Sequence, residues 1–534
     1  MKKLFFSSIL LLAVCLTTVG QIQFTPERKL RYAEQIIESY YVDRIDTAKV
    51  VTEAIVAMLK TLDPHSTYSS PEETRELTEP LDGNFSGIGI RFQMNNDTLY
   101  VIESVAGGPS EKVGILPGDR IISCNDTVIS GVKMKNNDIM KVLRGPKGTV
   151  AALKVLRKGN PQLLEFRVER DNIPIYSVEA TYMVNDSVGY ISVSRFAEAT
   201  AEEVAEAMGK LKKKGMRHLI LDLTDNGGGY MRPATDISDM FLRRGDLVVY
   251  TESPKNGTAE YVTQKNGSFL DGRVVVMVNQ YSASASEILS GALQDNDRAV
   301  IVGRRTFGKG LVQRPFPFPD GSMMRLTVSR YHTPSGRCIQ KPYVDGDDES
   351  YQLDMINRYN SGEFTNADSI HHFADSLLFH TRRLKRPVYG GGGIMPDRFV
   401  AIDTTMYSPY YRDLIAKGAV NNFTVNYVDA NRAKIKSDYP TEERYIAGFT
   451  ITPEIMQGLI DRGTADGVTY DEEQFRRSEP MLRAIVKGLI GRDLYDQSVY
   501  SRVVSPLDPT FAAAVEIINS PALYNSYLTP KEKE

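Results

Sequence analysis

The sequence predicts a multidomain α+β protein with an N-terminal helical region and a mixed C-terminal extension. Its 534 residues exceed the roughly 100 to 200 that one domain usually holds. Three patterns follow one another: apolar residues at helical spacing, then short β-rich runs in residues 83–170, then strands alternating with helices in residues 171–345. Residues 346–400 are interpreted as an insertion that returns to the core, and residues 401–534 as an extension without a recognisable motif.

Residues 1–20 have the pattern of an export signal. Lys2 and Lys3 precede an apolar stretch over residues 4–16, and the small residue Gly20 stands before a plausible cleavage point. The apolar stretch is short for a membrane span. We therefore expect an exported, periplasmic protein with a cleaved signal rather than a membrane anchor.

Residues 21–82 are predicted to form a small helical region. Apolar side chains recur at helical spacing, for example at Ala33 and Ile37. The turn-forming run Leu-Asp-Pro-His-Ser at residues 62–66 ends this pattern. Ser70, followed by Pro and two Glu, is typical of the residue that caps the start of a helix.

Residues 83–170 are predicted to form a small mixed barrel. Several β-rich runs are separated by turns, and two helical pieces lie near residues 110–113 and 136–143. The next block has the pattern of helices packed on a sheet. Its predicted elements are strands at 189–193, 218–223, 274–278 and 299–302, and helices at 200–214 and 285–294.

Ser284 is a candidate nucleophile. It follows the apolar strand 274–278 and a short run of small residues, and a helix begins directly after it. A serine at this point would lie beside unpaired helix N-terminal amides, which suits a nucleophile next to an oxyanion site. Taken alone, the segment can also be read as a run of helix-capping serines.

Two further elements follow other strands of the same block. Lys309 lies on a tight loop beside Phe307, where burial would lower its pKa and let the amine accept a proton from a serine. Gly227, Gly228 and Gly229 follow the strand 218–223, and such glycines let backbone amides converge on an oxyanion. Singly, these are an exposed lysine and a flexible turn; together with Ser284 they form a catalytic constellation.

Three motifs carry a resemblance to a known family. They are Asp-Leu-x-x-Asn-x-Gly-Gly from residue 222, Ser-Ala-Ser-Ala-Ser-Glu from residue 282, and Phe-Gly-Lys-Gly-x-x-Gln from residue 307. This set resembles the carboxy-terminal processing peptidases, also called tail-specific proteases, over about residues 30 to 340. The resemblance implies a serine endopeptidase that acts on protein C-terminal tails, with a core of crotonase-like ββα units.

The resemblance also assigns roles to individual residues. It implies Ser284 as nucleophile, Lys309 as general base and Gln313 as the residue that orients the lysine. The amides of Ala285 and Gly229 would form the oxyanion hole, with Gly228 as the alternative to Gly229. Asp295 matches a further position that is important in some members. Thr224 stands where many members have Arg, which bears on how the glycine loop is anchored.

Residues 83–169 resemble a PDZ domain within that family. This gives the segment Gly87, Ile88, Gly89 and Ile90 a role, because such a loop can receive a terminal carboxylate on its amides. Ile88 and Ile90 would supply apolar walls. An ordinary β-turn is the alternative. The implied partners are proteins or peptides with free apolar C-termini, and a homo-oligomer is left open.

Other function classes fit poorly. A net charge of −3 gives no reason to expect nucleic acid. The phosphate-loop-like run that begins at Gly303 has Gly310 where a Ser or Thr should bind magnesium, so we expect no nucleotide. No residue cluster has metal-ligand spacing, and we expect no metal or other cofactor. The remaining alternative is a PDZ scaffold on an inactive peptidase fold.

Overall fold

The computed structural model of the chain describes residues 25–255, 257–369 and 374–529. The predicted export signal, residues 1–20, lies outside these ranges. Within them, no helix combines the length and the hydropathy that crossing a membrane requires.

The N-terminal region is helical, as predicted, and contains one short strand. Its elements are α1 (Pro26–Tyr40), α2 (Thr47–Lys60), β1 (Thr67–Ser69) and α3 (Pro71–Asp82). Ser70 caps α3: its side chain accepts a hydrogen bond from Glu73 N, and the Glu73 carboxylate accepts one from Ser70 N. This reciprocal capping explains why the helix begins where the sequence predicts it.

The next domain is an open antiparallel sheet with two helices. Its elements are β2 (Asn84–Gly87), β3 (Ile90–Asn95), β4 (Thr98–Ser104), α4 (Pro109–Lys112), β5 (Arg120–Cys124), β6 (Thr127–Val128), α5 (Asn136–Leu143), β7 (Val150–Leu156) and β8 (Leu164–Glu169). The strand order is β3-β4-β5-β7-β8, with β6 on β5. The outer strands β3 and β8 do not pair in the described residues, so the expected barrel is not closed. A groove between β3 and α5 lies along the open edge.

The α/β core is built on a six-stranded sheet. In chain order the elements up to residue 332 are β9 (Asp171–Pro174), β10 (Val178–Met183), β11 (Val188–Val193), α6 (Thr200–Lys213), β12 (His218–Asp222), α7 (Met231–Asp239), β13 (Leu247–Ser253), β14 (Gly257–Val262), β15 (Val274–Val278), α8 (Ala285–Asp295), β16 (Val300–Gly303), β17 (Leu311–Pro317) and β18 (Met323–His332). The main sheet has the order β10-β11-β12-β15-β16-β21, where β21 is Arg398–Phe399. From β11 to β21 the neighbours run parallel. Every residue of β15 is buried, as expected for a strand covered on both faces.

A second sheet joins the N-terminal region to the core. Its order is β1-β18-β13-β14, and β17 pairs antiparallel with β18 over residues 323–330. Because β1 pairs with β18, the N-terminal residues just before β1 lie beside the core. The insertion that follows contains α9 (Asp348–Asn360), β19 (Leu378–His380) and β20 (Pro387–Tyr389).

The C-terminal extension is helical rather than mixed: from residue 400 to 529 the structure contains no strand. Its helices are α10 (Pro409–Ala416), α11 (Ala419–Asp438), α12 (Glu442–Gly448), α13 (Pro453–Ala465), α14 (Glu472–Leu494), α15 (Gln497–Val504), α16 (Pro509–Asn519) and α17 (Pro521–Tyr527). Asp429 and Asp493 of this bundle pair with Arg120 and Arg91 of the open-sheet domain at 3.2 and 3.3 Å. Helix α16 packs on the main sheet, so the extension contacts both preceding domains.

Candidate active site

Ser284 stands at the junction of β15 and α8 in a strained conformation. Its φ of 54° and ψ of −112° lie outside the regions that non-glycine residues usually adopt. Such strain costs about 1 to 3 kcal/mol and persists only where the surroundings impose it. The side chain is half-buried at the first turn of α8.

A buried carboxylate, Glu287, imposes this conformation. Its Oε2 accepts hydrogen bonds from Ser284 N and Lys309 N, both at 2.8 Å. Its Oε1 accepts from Thr306 Oγ1 at 2.5 Å and Gly308 N at 2.7 Å. One side chain therefore joins the serine to the lysine loop. Burial raises the pKa of Glu287, and these four hydrogen bonds oppose that rise.

Tyr331 forms a second link between the two segments. Its hydroxyl lies 2.5 Å from Lys309 O and 3.2 Å from Ser284 O. The tyrosine is fully buried in the core, so the position of its hydroxyl is fixed by packing. Ser284 and Lys309 are thus held together through their backbones from two directions.

Lys309 has the electrostatics of a base that loses its proton at lower pH than an ordinary lysine does. Burial, and next the positive charge of Arg325, lower the pKa of Lys309 to about 8, although Glu287 and Asp63 oppose that shift. Among the described residues, no hydrogen bond or ion pair engages Lys309 Nζ. The amine therefore has no carboxylate partner that would hold it protonated.

The amide of Ala285, which directly follows Ser284, and the amide of Gly229 are the candidates for binding an oxyanion. Gly228 N donates to Asn226 Oδ1 at 2.9 Å, whereas Gly229 N and Ala285 N find no acceptor in the described part of the chain. A Cβ on Gly228 would lie 2.8 Å from Ser284 Cβ and 3.0 Å from Ala285 N, so only glycine fits there. This geometry favours Gly229 over Gly228 as the partner of Ala285.

The glycine loop is anchored by hydrogen bonds of Thr224 and Asn226. Thr224 donates from its N and its Oγ1 to Asp222 Oδ1, at 2.8 and 2.7 Å. Asn226 Nδ2 donates to Val193 O at 2.7 Å. Asn226 O accepts from Ala283 N, which ties the loop directly to the segment before Ser284.

The other two candidate residues differ in their placement. Gln313 lies on β17 after the lysine loop, and its Nε2 donates to Thr327 Oγ1 at 3.2 Å. Asp295 ends α8, about 16 Å along the helix axis from Ser284. It forms a fully buried ion pair with Arg337 at 2.7 Å. The structure therefore places Asp295 away from Ser284, and Gln313 on the strand that follows the lysine loop.

The segment Gly87, Ile88, Gly89 and Ile90 borders the groove between β3 and α5. A cavity of about 90 Å³ there is lined by Phe85, Ile88, Gly89, Ile90, Phe92, Met140, Leu143 and Arg144. Within the described residues, Ile88 N and Gly89 N have no acceptor. The groove thus combines free amides with a small apolar pocket.

Comparisons with known proteins agree with this architecture. A model of peptidase family S41 matches residues 187–350, a PDZ-domain model matches residues 86–168, and a family of unknown function (DUF8443) matches residues 410–496. Carboxy-terminal processing protease CtpA of Bacillus subtilis is 34% identical over 344 residues, covering 63% of this chain and 73% of that protein. The chain belongs to the carboxy-terminal processing proteases.

Two further relatives are similar over comparable lengths. The carboxy-terminal-processing protease of Bartonella bacilliformis is 34% identical over 62% of this chain and 77% of its own. The solved photosystem II D1 C-terminal processing protease is 28% identical, covers 60% of this chain and 92% of its own, and has a TM-score of 0.34. The S41 model and the match to CtpA assign this protein as a C-terminal processing serine endopeptidase. The family predicted from its three motifs is confirmed.

Sequence reasoning did not identify two residues that position the site of the protease. Glu287 was visible as an acidic residue in the first turn of a helix, but its contacts with the lysine loop were not. It stands three residues after Ser284, as in a capping box, and that spacing was the available signal. Tyr331 carried no signal, because a tyrosine in a predicted strand is ordinary core.

Proposed function

We propose that the protease is exported and cleaves proteins near their C-termini with a Ser284 and Lys309 dyad, after the PDZ domain has bound the tail. The observation that carries the proposal is that Glu287 and Tyr331 hold a strained serine beside a lysine with a lowered pKa and no carboxylate partner. Gln313 orients the lysine. The chain's assignment to the endopeptidases argues against a scaffold on an inactive fold.

The proposed reaction proceeds in two stages. Ser284 Oγ attacks the scissile carbonyl as neutral Lys309 Nζ takes the serine proton, and the negative oxygen is bound by Gly229 N and Ala285 N. The lysine then gives its proton to the leaving amine. In the second stage a water, deprotonated by the same amine, hydrolyses the acyl-enzyme and restores the serine.

The pH dependence of the reaction follows from Lys309. Because the base must be deprotonated, we expect kcat/KM to rise with pH through an apparent pKa of about 8. Arg325→Gln removes the positive neighbour that lowers the pKa of Lys309, so its rising limb should move to higher pH. Initial rates between pH 6 and 10 measure the rising limb of the wild type and that of Arg325→Gln. A rate that stays constant over this range would exclude the lysine as base.

Support for tail recognition comes from the PDZ groove. The free amides of Ile88 and Gly89 suit a terminal carboxylate, and the adjoining cavity of about 90 Å³ has room for one small apolar side chain. Arg144 adds a positive charge at the groove, although its Nη1 already donates to Glu79 at 2.6 Å. A free C-terminus with a small apolar last residue is the ligand that this chemistry favours.

One protein substrate, prepared with the same tail as acid and as amide, tests this recognition. At low substrate concentration we expect the amide to be cleaved at least about ten times more slowly than the acid. Amidation removes the charge of the terminal carboxylate and the hydrogen bonds that the carboxylate accepts. Competition by a free tail peptide should slow the acid form only. Equal rates for the acid and the amide would refute carboxylate recognition and leave the dyad untouched.

Export is the part of the proposal that rests on sequence alone. Lys2, Lys3 and the apolar stretch after them are the supporting pattern. A periplasmic location would place the PDZ groove and the dyad among exported substrates. Sequencing the N-terminus of the mature chain checks for cleavage after Gly20.

A further inference from the structure

We propose that Thr327, held by Asp63 of the N-terminal region, is a positioning residue that fixes the amide of Gln313 for its work on Lys309. The inference rests on the proposed dyad and adds two residues to it. Neither residue belongs to the catalytic motifs of the core.

A continuous chain of hydrogen bonds carries the inference. Gln313 Nε2 donates to Thr327 Oγ1 at 3.2 Å, and Thr327 Oγ1 donates to Asp63 Oδ1 at 2.9 Å. Thr327 has one hydroxyl proton, and it donates that proton in the hydrogen bond to Asp63. The Thr327 oxygen must therefore accept the hydrogen bond from Gln313. This pins the nitrogen end of the amide. The opposite end, Gln313 Oε1, has no donor among the described residues, so it is available to accept a hydrogen bond from Lys309 Nζ.

The backbone brings these residues opposite one another by a β-bulge. In the pairing of β17 with β18, Val312 lies opposite Ser329, but Gln313 lies opposite Thr327. Without that shift Gln313 would face Val328, whose side chain offers no acceptor. Bulges next to active sites re-aim side chains in this way.

Asp63 is itself rigidly held. Its Oδ1 also accepts from His65 N and Ser66 N, at 2.9 and 3.1 Å, and its Oδ2 accepts from Ser66 Oγ at 2.6 Å. Ser66 Oγ in turn accepts from Thr327 N at 3.1 Å. The carboxylate therefore reaches the core as a fixed acceptor rather than as a mobile surface group, and it is buried.

Asp63 and His65 also lie among the charged and titratable groups near Lys309. Lys309 is influenced by Arg325 on β18, by Glu287 on α8 and by Asp63. His65 also faces it, but burial and the lysine charge lower the pKa of His65 to about 4, so this ring is neutral near pH 8. Among these groups Asp63 and Glu287 favour the protonated amine, and removing Asp63 alone leaves Glu287 in place.

A double-mutant cycle tests the positioning role. We expect Thr327→Val to lower kcat about tenfold with little change in KM, and Thr327→Ser, which keeps the hydroxyl, to restore most of the loss. In a Gln313→Ala background, Thr327→Val should have almost no further effect, because the residue acts through Gln313. Equal losses in both backgrounds, or a change confined to KM, would overturn the proposal.

Asp63→Asn supplies a second readout that a structural role would not move. We expect a lower kcat and a rising pH limb displaced to lower pH, since a negative neighbour of the lysine is lost; Thr327→Val should leave the limb in place. An unmoved limb in Asp63→Asn contradicts the proposal. If the proposed dyad is wrong, Ser284→Ala remains active. If the dyad is right but the positioning role of Thr327 is wrong, Ser284→Ala is inactive and Thr327→Val keeps its full activity.

Discussion

Replacing Ser284 or Lys309 by Ala is expected to reduce proteolysis by a factor of about 1000 or more without unfolding the chain. The serine is activated only by the neutral amine, so the two losses should be similar and their combination little worse than either. Lys309→Ala removes no hydrogen bond that the described residues make through Nζ, and Ser284→Ala removes at most the capping contact with the amide of Glu287. Cleavage of a protein substrate and far-UV circular dichroism measure the two effects.

Two matched variants sharpen this prediction. Lys309→Arg keeps a positive charge but cannot be deprotonated, so it should be as inactive as the alanine variant. Ser290 lies on α8, the helix that follows Ser284, and its hydroxyl donates to Ser286 O at 2.7 Å. The control variant Ser290→Ala should remain active. A serine-reactive fluorophosphonate should label the wild type and Ser290→Ala but not Ser284→Ala. Wild-type rates in Lys309→Arg would exclude proton transfer to this lysine.

Glu287→Ala is expected to abolish activity and to lower the free energy of unfolding by roughly 3 to 5 kcal/mol. The change leaves three backbone N–H groups and one hydroxyl without their acceptor inside a packed site. It also releases Ser284 from its strained conformation. Denaturant unfolding measures the loss of stability. The cleavage rate per folded molecule, with the folded fraction taken from circular dichroism, measures the loss of activity separately.

Glu287→Gln separates the effect of losing the carboxylate's hydrogen-bond acceptors from the effect of losing the side chain's volume. Glutamine keeps the shape, but its NH₂ end cannot accept, so two of the four donors lose their acceptor. We expect a loss of activity close to that of the alanine variant together with partly retained stability. Glu202→Gln, at an exposed position on α6, is the control and should behave as wild type. A fully active Glu287→Gln would show that the carboxylate does not set the geometry.

Local elements of the fold were predictable because their signals are local. Helix α5 spans Asn136–Leu143 and strand β15 spans Val274–Val278, as the apolar spacing predicts. The helical extension was harder to recognise, because α11 and α14 bury their apolar faces mainly against each other and other helices. The open sheet was mistaken for a barrel, since the number and length of strands do not reveal whether the outer two pair.

The sequence by itself determined the family, the order of the domains and the segments that hold Ser284, Lys309 and Gln313, because runs of consecutive residues carry those motifs. Only the tertiary structure revealed what holds them in place. Asp63 and Thr327 are 264 residues apart, and Glu287 and Lys309 are 22 apart on different elements. Hydrogen bonds of this kind depend on register, on a bulge in β18 and on burial, and those features arise only when the sheets and helices pack together.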